Sequence, residues 1–194
     1  MRLPYGDEID AVQDASREVL VGLYLRDALG VIDPSGLPRL LGTGLPDAGP
    51  ADETTNWWWQ RWWIDIVDQD RTRFLPPLPA AFEEVGDRAL KRHLDDARTW
   101  ADVVHEAYAD REIARFQDGY PGTFAAVVSE RRAALGVEPR PFFLRIEVLP
   151  LTTAGIWWIG EQAIAVDELL RDDESSYALA LEPIVDRLLT DPDA

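Results

Sequence analysis

The sequence contains no cysteine. Disulfides, thiolate metal sites and cysteine nucleophiles are excluded with it. Histidine is nearly absent too, with only His93 and His105, so a zinc site built from several imidazoles is not expected. No apolar run reaches the length that crosses a bilayer, and the first residues lack a basic segment followed by an apolar one. The expectation is a cytoplasmic protein with no membrane partner. The nucleophile elbow Gly-x-Ser-x-Gly, the P-loop and the Gly-x-Gly-x-x-Gly turn are all missing, and with them the signatures of serine hydrolases, Walker ATPases and dinucleotide binders.

Positive charge is scarce. Lys+Arg number 19 against 36 Asp+Glu, for a net charge of -17. Lys91 is the single lysine, an arginine bias expected of a GC-rich bacterial genome. A negative field of this size repels phosphate backbones, so no nucleic-acid partner is expected. It suits solubility, and it suits a basic protein partner such as a toxin or nuclease that this chain would neutralise.

Tryptophan is what the chain has in excess. Five of its eight tryptophans lie between Trp57 and Trp63. At about 100° per residue, Trp58, Trp59, Trp62, Trp63, Ile66 and Val67 share one half of a helical wheel. Gln60, Arg61, Asp65 and Asp68 occupy the other half, which Trp57 and Ile64 interrupt. Asp52, Thr54, Thr55 and Asn56 offer N-caps, so the reading is a helix over 52–69. Each indole can bury roughly 150–250 Å². At about 25 cal/mol per Å² the cluster must be enclosed, by this chain or by a second copy. Trp57 and Ile64 are the residues expected to meet something beyond the local core.

Around this helix the chain divides by period. Residues 7–29 read as a helix with Gly22 at a close crossing and Gly30 at its C′ position. Residues 30–50 are rich in Gly, Pro and Asp and read as a long loop of the kind that is often functional. Phe74–Pro79 reads as an extended strap. Residues 80–116 carry a 4-3-4-3-4 seam, Leu90, Leu94, Ala97, Ala101, Val104 and Tyr108, of a bundle-type helix. Thr123 is expected to cap a helix that stops at Gly136. The period then shortens to two. Residues 142–149, 156–159 and 163–166 read as strands, the last two turned at Gly160–Gln162. Asp167 is expected to cap a short turn through Arg171. A final helix should open at Ser175 or Ser176 and kink at Pro183. The fold class is therefore α+β, mainly helical, with a small C-terminal antiparallel sheet of about three strands and a last helix. One domain is expected over 1–194, helical to 138 and a β-meander plus helix from 139.

Two constellations bear on chemistry. Asp95, Asp102, Glu106 and Asp110 stack on the face of the long helix opposite its apolar seam. Carboxylates so placed can ligate magnesium and through it a phosphate. Glu84 and Asp87 have a spacing that metal-dependent phosphohydrolases use in pairs, but no second pair stands at a suitable distance. His93 beside Asp96, and His105 beside Asp102, are each spaced for a base with an orienting carboxylate. Asp102, His105 and Glu106 are thus the catalytic candidates, beside the plain alternative of a solvated helix face. On the sheet, Trp157 and Trp158 must face opposite sides. One of them, with Phe143 and Arg145, is expected on the outer face, where arginine beside aromatics suits recognition.

Aromatic excess without a catalytic signature points to a non-catalytic binding protein. Its recognition residues would be Trp57, Arg61, Phe143, Arg145, Trp157 and Trp158, its partner another protein or a second copy, with no cofactor. The second reading is a metal-dependent hydrolase of small phosphorylated compounds working through the acidic helix face.

Overall fold

The computed structural model describes residues 9–67, 88–117, 122–137 and 142–191. The strap at 74–79, the pair Glu84 and Asp87, and the start of the long helix at 80–87 lie outside the described residues.

Among the described residues the first element is a strand, not a helix. Residues Ile9–Asp14 form β1, and α1 (Arg17–Leu29) follows it. Ser16 makes the break with extended φ -66 and ψ 135. The physical reason for the difference is a partner far along the chain. β1 pairs in parallel with β2 (Phe142–Leu149), Asp14 standing opposite Glu147. β3 (Ile156–Gly160) and β4 (Ala163–Asp167) complete a sheet of order β1-β2-β4-β3. β2 pairs with β4 in parallel, and only β3 with β4 is antiparallel. The sheet is therefore mixed and four-stranded, where three antiparallel strands were expected. The α+β class, the helical majority and the final helix hold.

Helices cover both faces of this sheet. Phe142, Leu144, Ile146 and Val148 alternate with Phe143, Arg145, Glu147 and Leu149 along β2. On the first side lies α4 (Thr123–Leu135), whose Phe124 meets Phe142 edge-on at 6.5 Å between centroids. α6 (Glu174–Thr190) lies on that side too, with Arg187 over the Trp158 ring at 4.9 Å. Arg131 clamps α4 to α6 through two 2.7 Å bonds to Asp186. The second side belongs to α1 and α2 (Glu53–Val67). The 30-residue α3 (Arg88–Gln117) packs on α1, where the Tyr24 and Trp100 rings stand 5.7 Å apart. The short α5 (Glu168–Asp172) starts at Asp167, whose carboxylate accepts from the backbone of Leu169 and Leu170, as its sequence position suggested. Two caps differ from expectation. Thr123 is already helical, with Gly122 before it, and α6 is capped by Asp173, two residues before Ser175.

α1 is the buried centre. From Val19 to Asp27 every residue but Val21 is buried. Gly22 lets α2 close on it, since a Cβ there would stand 3.2 Å from the Trp63 ring. The loop after α1 is held by charge. Arg26, itself buried, donates to Asp27, Asp33 and the carbonyls of Leu37 and Pro38. Asp27 in turn accepts from the Leu40 amide at 2.8 Å. Leu40 then bridges Leu151, which ties the loop to the sheet.

Candidate docking surface

The tryptophan helix divides its rings between core and solvent. Trp59, Trp62 and Trp63 are buried with Ile66 and Val67. Trp59 and Trp63 stack at 5.1 Å with 13° between their planes. Burying each indole contributes about 4–6 kcal/mol on the area scale, which fixes how α2 is rotated. The same rotation turns Trp57 and Ile64 outward, at 57% and 52% exposure. Arg61 is exposed between them. Positions 57, 61 and 64 lie on one helical stripe. Ile32 extends it, because its amide donates to Asn56 Oδ1 and its carbonyl accepts from Gln60 Nε2, and its side chain is exposed. Trp57 is braced edge-on by the half-buried Trp58 at 4.5 Å. A braced, exposed indole beside an arginine has the composition of an interface hot spot.

The other aromatic candidates lie elsewhere. Arg145 is buried, not on an outer face. Its guanidinium donates to the carbonyls of Ile66 and Val67 at the end of α2. Those carbonyls close the described part of α2, where a cation from the sheet matches the helix dipole. Arg145 is a strut between sheet and tryptophan helix. Phe143, Trp157 and Trp158 are half-buried. Trp157 pairs with Ala165 on the α2 side of the sheet, and Trp158 lies under Arg187 on the other. Among the described residues the one ring contact of Trp57 is with Trp58, not with these side chains.

The acidic stripe faces solvent along α3, with Asp95, Asp102, Glu106 and Asp110 all exposed. Asp102 pairs with Arg17 at 2.6 Å and Asp95 with Arg98 at 4.0 Å. Among the described residues no group of three or more His, Asp or Glu is placed to hold a metal ion. His105 does not pair with Asp102. Its Nδ1 lies 2.8 Å from the Ala15 carbonyl oxygen, a contact that requires the proton on Nδ1. His93 Nδ1 is buried without a hydrogen-bond partner among the described residues.

Sequence reasoning missed a polar network at the C-terminal ends of β1 and β2. Glu147 is completely buried, and it accepts from the Ser16 amide at 2.9 Å and the Ser16 hydroxyl at 2.7 Å. Arg145 Nε stands 3.3 Å away. Burial pushes the Glu147 carboxyl above its ordinary range, against the pull of Arg145 and of the Ser16 bonds. Beside it, Arg171 bridges Gln13 and Glu112. Burial likewise raises the Tyr108 phenol. Arg111 pairs with Glu168 and Arg115 with Asp172, so α3 is bolted to α5. The only sequence signal for Glu147 was its place in the alternation of β2.

No family model, curated protein or solved structure matches this chain. The surface geometry therefore carries the functional argument. Among the described residues no helix is long and apolar enough to cross a membrane.

Proposed function

We propose that this chain is a non-catalytic binding protein of the bacterial cytoplasm, which docks a basic protein partner on the outward face of α2. One observation carries the reading. A helix that hides three indoles leaves a fourth, Trp57, more than half exposed, in one stripe with Arg61 and Ile64. Exposed aromatic and aliphatic side chains grouped beside an arginine are the usual centre of an interface. Net charge of -17 supports a basic partner, since opposite fields speed encounter. The phosphohydrolase reading draws no comparable support. Its four carboxylates extend over about 22 Å of helix at ~1.5 Å per residue, too far apart to share one ion.

The test is a photo-crosslinking amino acid at position 57 in cells of the source bacterium. A second site at Ser129, exposed on α4, serves as control. The reading expects one basic protein captured from position 57, absent from position 129 and lost with Ile64→Asp. Equal capture from both positions would remove it. Capture of this chain alone would replace it with a homodimer.

A further inference from the structure

A second helix face carries exposed apolar surface, and here the charge around it argues for one occupant. Ile113 and Phe116 on α3 are exposed at 57% and 67%. Three residues apart, they are neighbours on the helix surface. One and two turns before Ile113 stand Ala109 and Glu106, with Asp110 directly after Ala109, and Asp102 lies a further turn back. Glu106 and Asp110 have no ion-pair partner among the described residues, unlike Asp95 and Asp102. The face thus runs from a carboxylate half to an apolar half along one 30-residue helix.

We infer that this face of α3 binds a basic amphipathic helix of a partner protein. The inference rests on the reading of the chain as a binding protein and adds a second contact to it, away from α2. The apolar anchors Ile113 and Phe116 meet the partner's apolar stripe, and Glu106 and Asp110 meet its lysines or arginines. A second copy of this chain is the wrong occupant, because parallel α3 helices would bring their carboxylates together, and antiparallel ones would set each carboxylate half against the other's apolar half. A metal would find too few ligands, since among the described residues no group of three or more His, Asp or Glu is placed to hold one. Nucleic acid is excluded by the sign of the acids.

The probe is a synthetic peptide of three heptads with leucine at a and d and lysine at e and g, titrated into the intact chain. A scrambled peptide of equal composition, which has no apolar stripe, is the control. The amphipathic peptide is expected to bind at least tenfold tighter than the scrambled one. Ile113→Ser with Phe116→Ser should weaken it tenfold or more. Glu106→Lys with Asp110→Lys should abolish it and admit an acidic version of the peptide. Because all four side chains are exposed, unchanged thermal melting certifies the variants as folded. Equal binding of both peptides would overturn the inference in favour of diffuse charge attraction. So would indifference to the Ile113 and Phe116 changes. Loss of peptide binding in Trp57→Ala, with the α3 variants unaffected, would move the basic helix to α2, sinking this inference while leaving the α2 reading intact. Capture from position 57 without any peptide binding would do the same. Peptide binding at α3 without capture from position 57 would instead remove the α2 docking site.

Discussion

The Trp59 indole donates its N–H to the main-chain oxygen of Gly22 at 2.8 Å. This bond pins the tryptophan helix to the buried helix α1. Trp62, three residues on, is equally buried, but its Nε1 has no partner among the described residues. The two indoles therefore differ in one bond. Trp59→Phe should cost about 1–2 kcal/mol more than Trp62→Phe, since both lose similar ring area. Urea unfolding of the two variants measures it. Equal losses, or a larger loss at Trp62, would contradict the pinning role.

Gly22 sets how closely the helices approach. Its missing Cβ would sit 3.2 Å from the Trp63 ring and 3.4 Å from Ile66 Cδ1. In Gly22→Ala, a helix-propensity gain of about 1 kcal/mol offsets a small displacement, and little net change is expected. Gly22→Val adds two methyls against Trp63 and should cost roughly 1–3 kcal/mol. A monotonic gain from Gly through Ala to Val in thermal melting would mean that α2 stands further off.

The loop at 30–50 depends on Arg26. Removing its guanidinium leaves Asp27 buried beside lost contacts to Asp33, Leu37 and Pro38. Arg26→Met keeps the aliphatic stem and should still cost roughly 3–5 kcal/mol. Hydrogen exchange at the Leu40 amide, bonded to Asp27, should accelerate with it. An unchanged exchange rate would show that the loop is held by Leu40 and Leu151 alone.

Glu147 gives stability a pH dependence of defined sign. Its carboxyl is raised in the folded chain, mainly by burial. Above the ordinary glutamate value of about 4.3, the folded state therefore binds this proton more tightly than the unfolded state. Stability from this group is full below that value and falls as pH rises through the folded pKa. Glu147→Gln removes the slope. The difference in unfolding free energy, wild type minus variant, should fall as pH rises above the ordinary glutamate value of about 4.3. A rising difference would mean that Arg145 and Ser16 outweigh burial.

The sequence made α2 legible because a 3.6-residue period is local, and its five indoles left little doubt which side is buried. Trp57 and Ile64 stood out there as exceptions, and both are exposed. The strand β1 was not legible. Ile9, Val12, Ser16 and Val19 fit a helical spacing, and the fact that decides against it is pairing with β2 more than 130 residues away. Arg145 was misplaced for a related reason. Beside Phe143 it resembles a surface recognition pair, but the carbonyls of Ile66 and Val67 that claim it belong to another element. Polar groups that satisfy distant backbone leave no local period. The same holds for Ser16 and Glu147.

The division of the α2 indoles is the central claim, and fluorine NMR tests it directly. The protein would be labelled with 5-fluorotryptophan and its resonances assigned by single Trp→Phe variants. A neutral soluble paramagnetic agent then ranks their exposure. Among the α2 rings, the Trp57 resonance should broaden most and those of Trp59, Trp62 and Trp63 least. A Trp57 resonance shielded as fully as that of Trp59 in the dilute, folded chain would contradict the outward face and the docking role built on it.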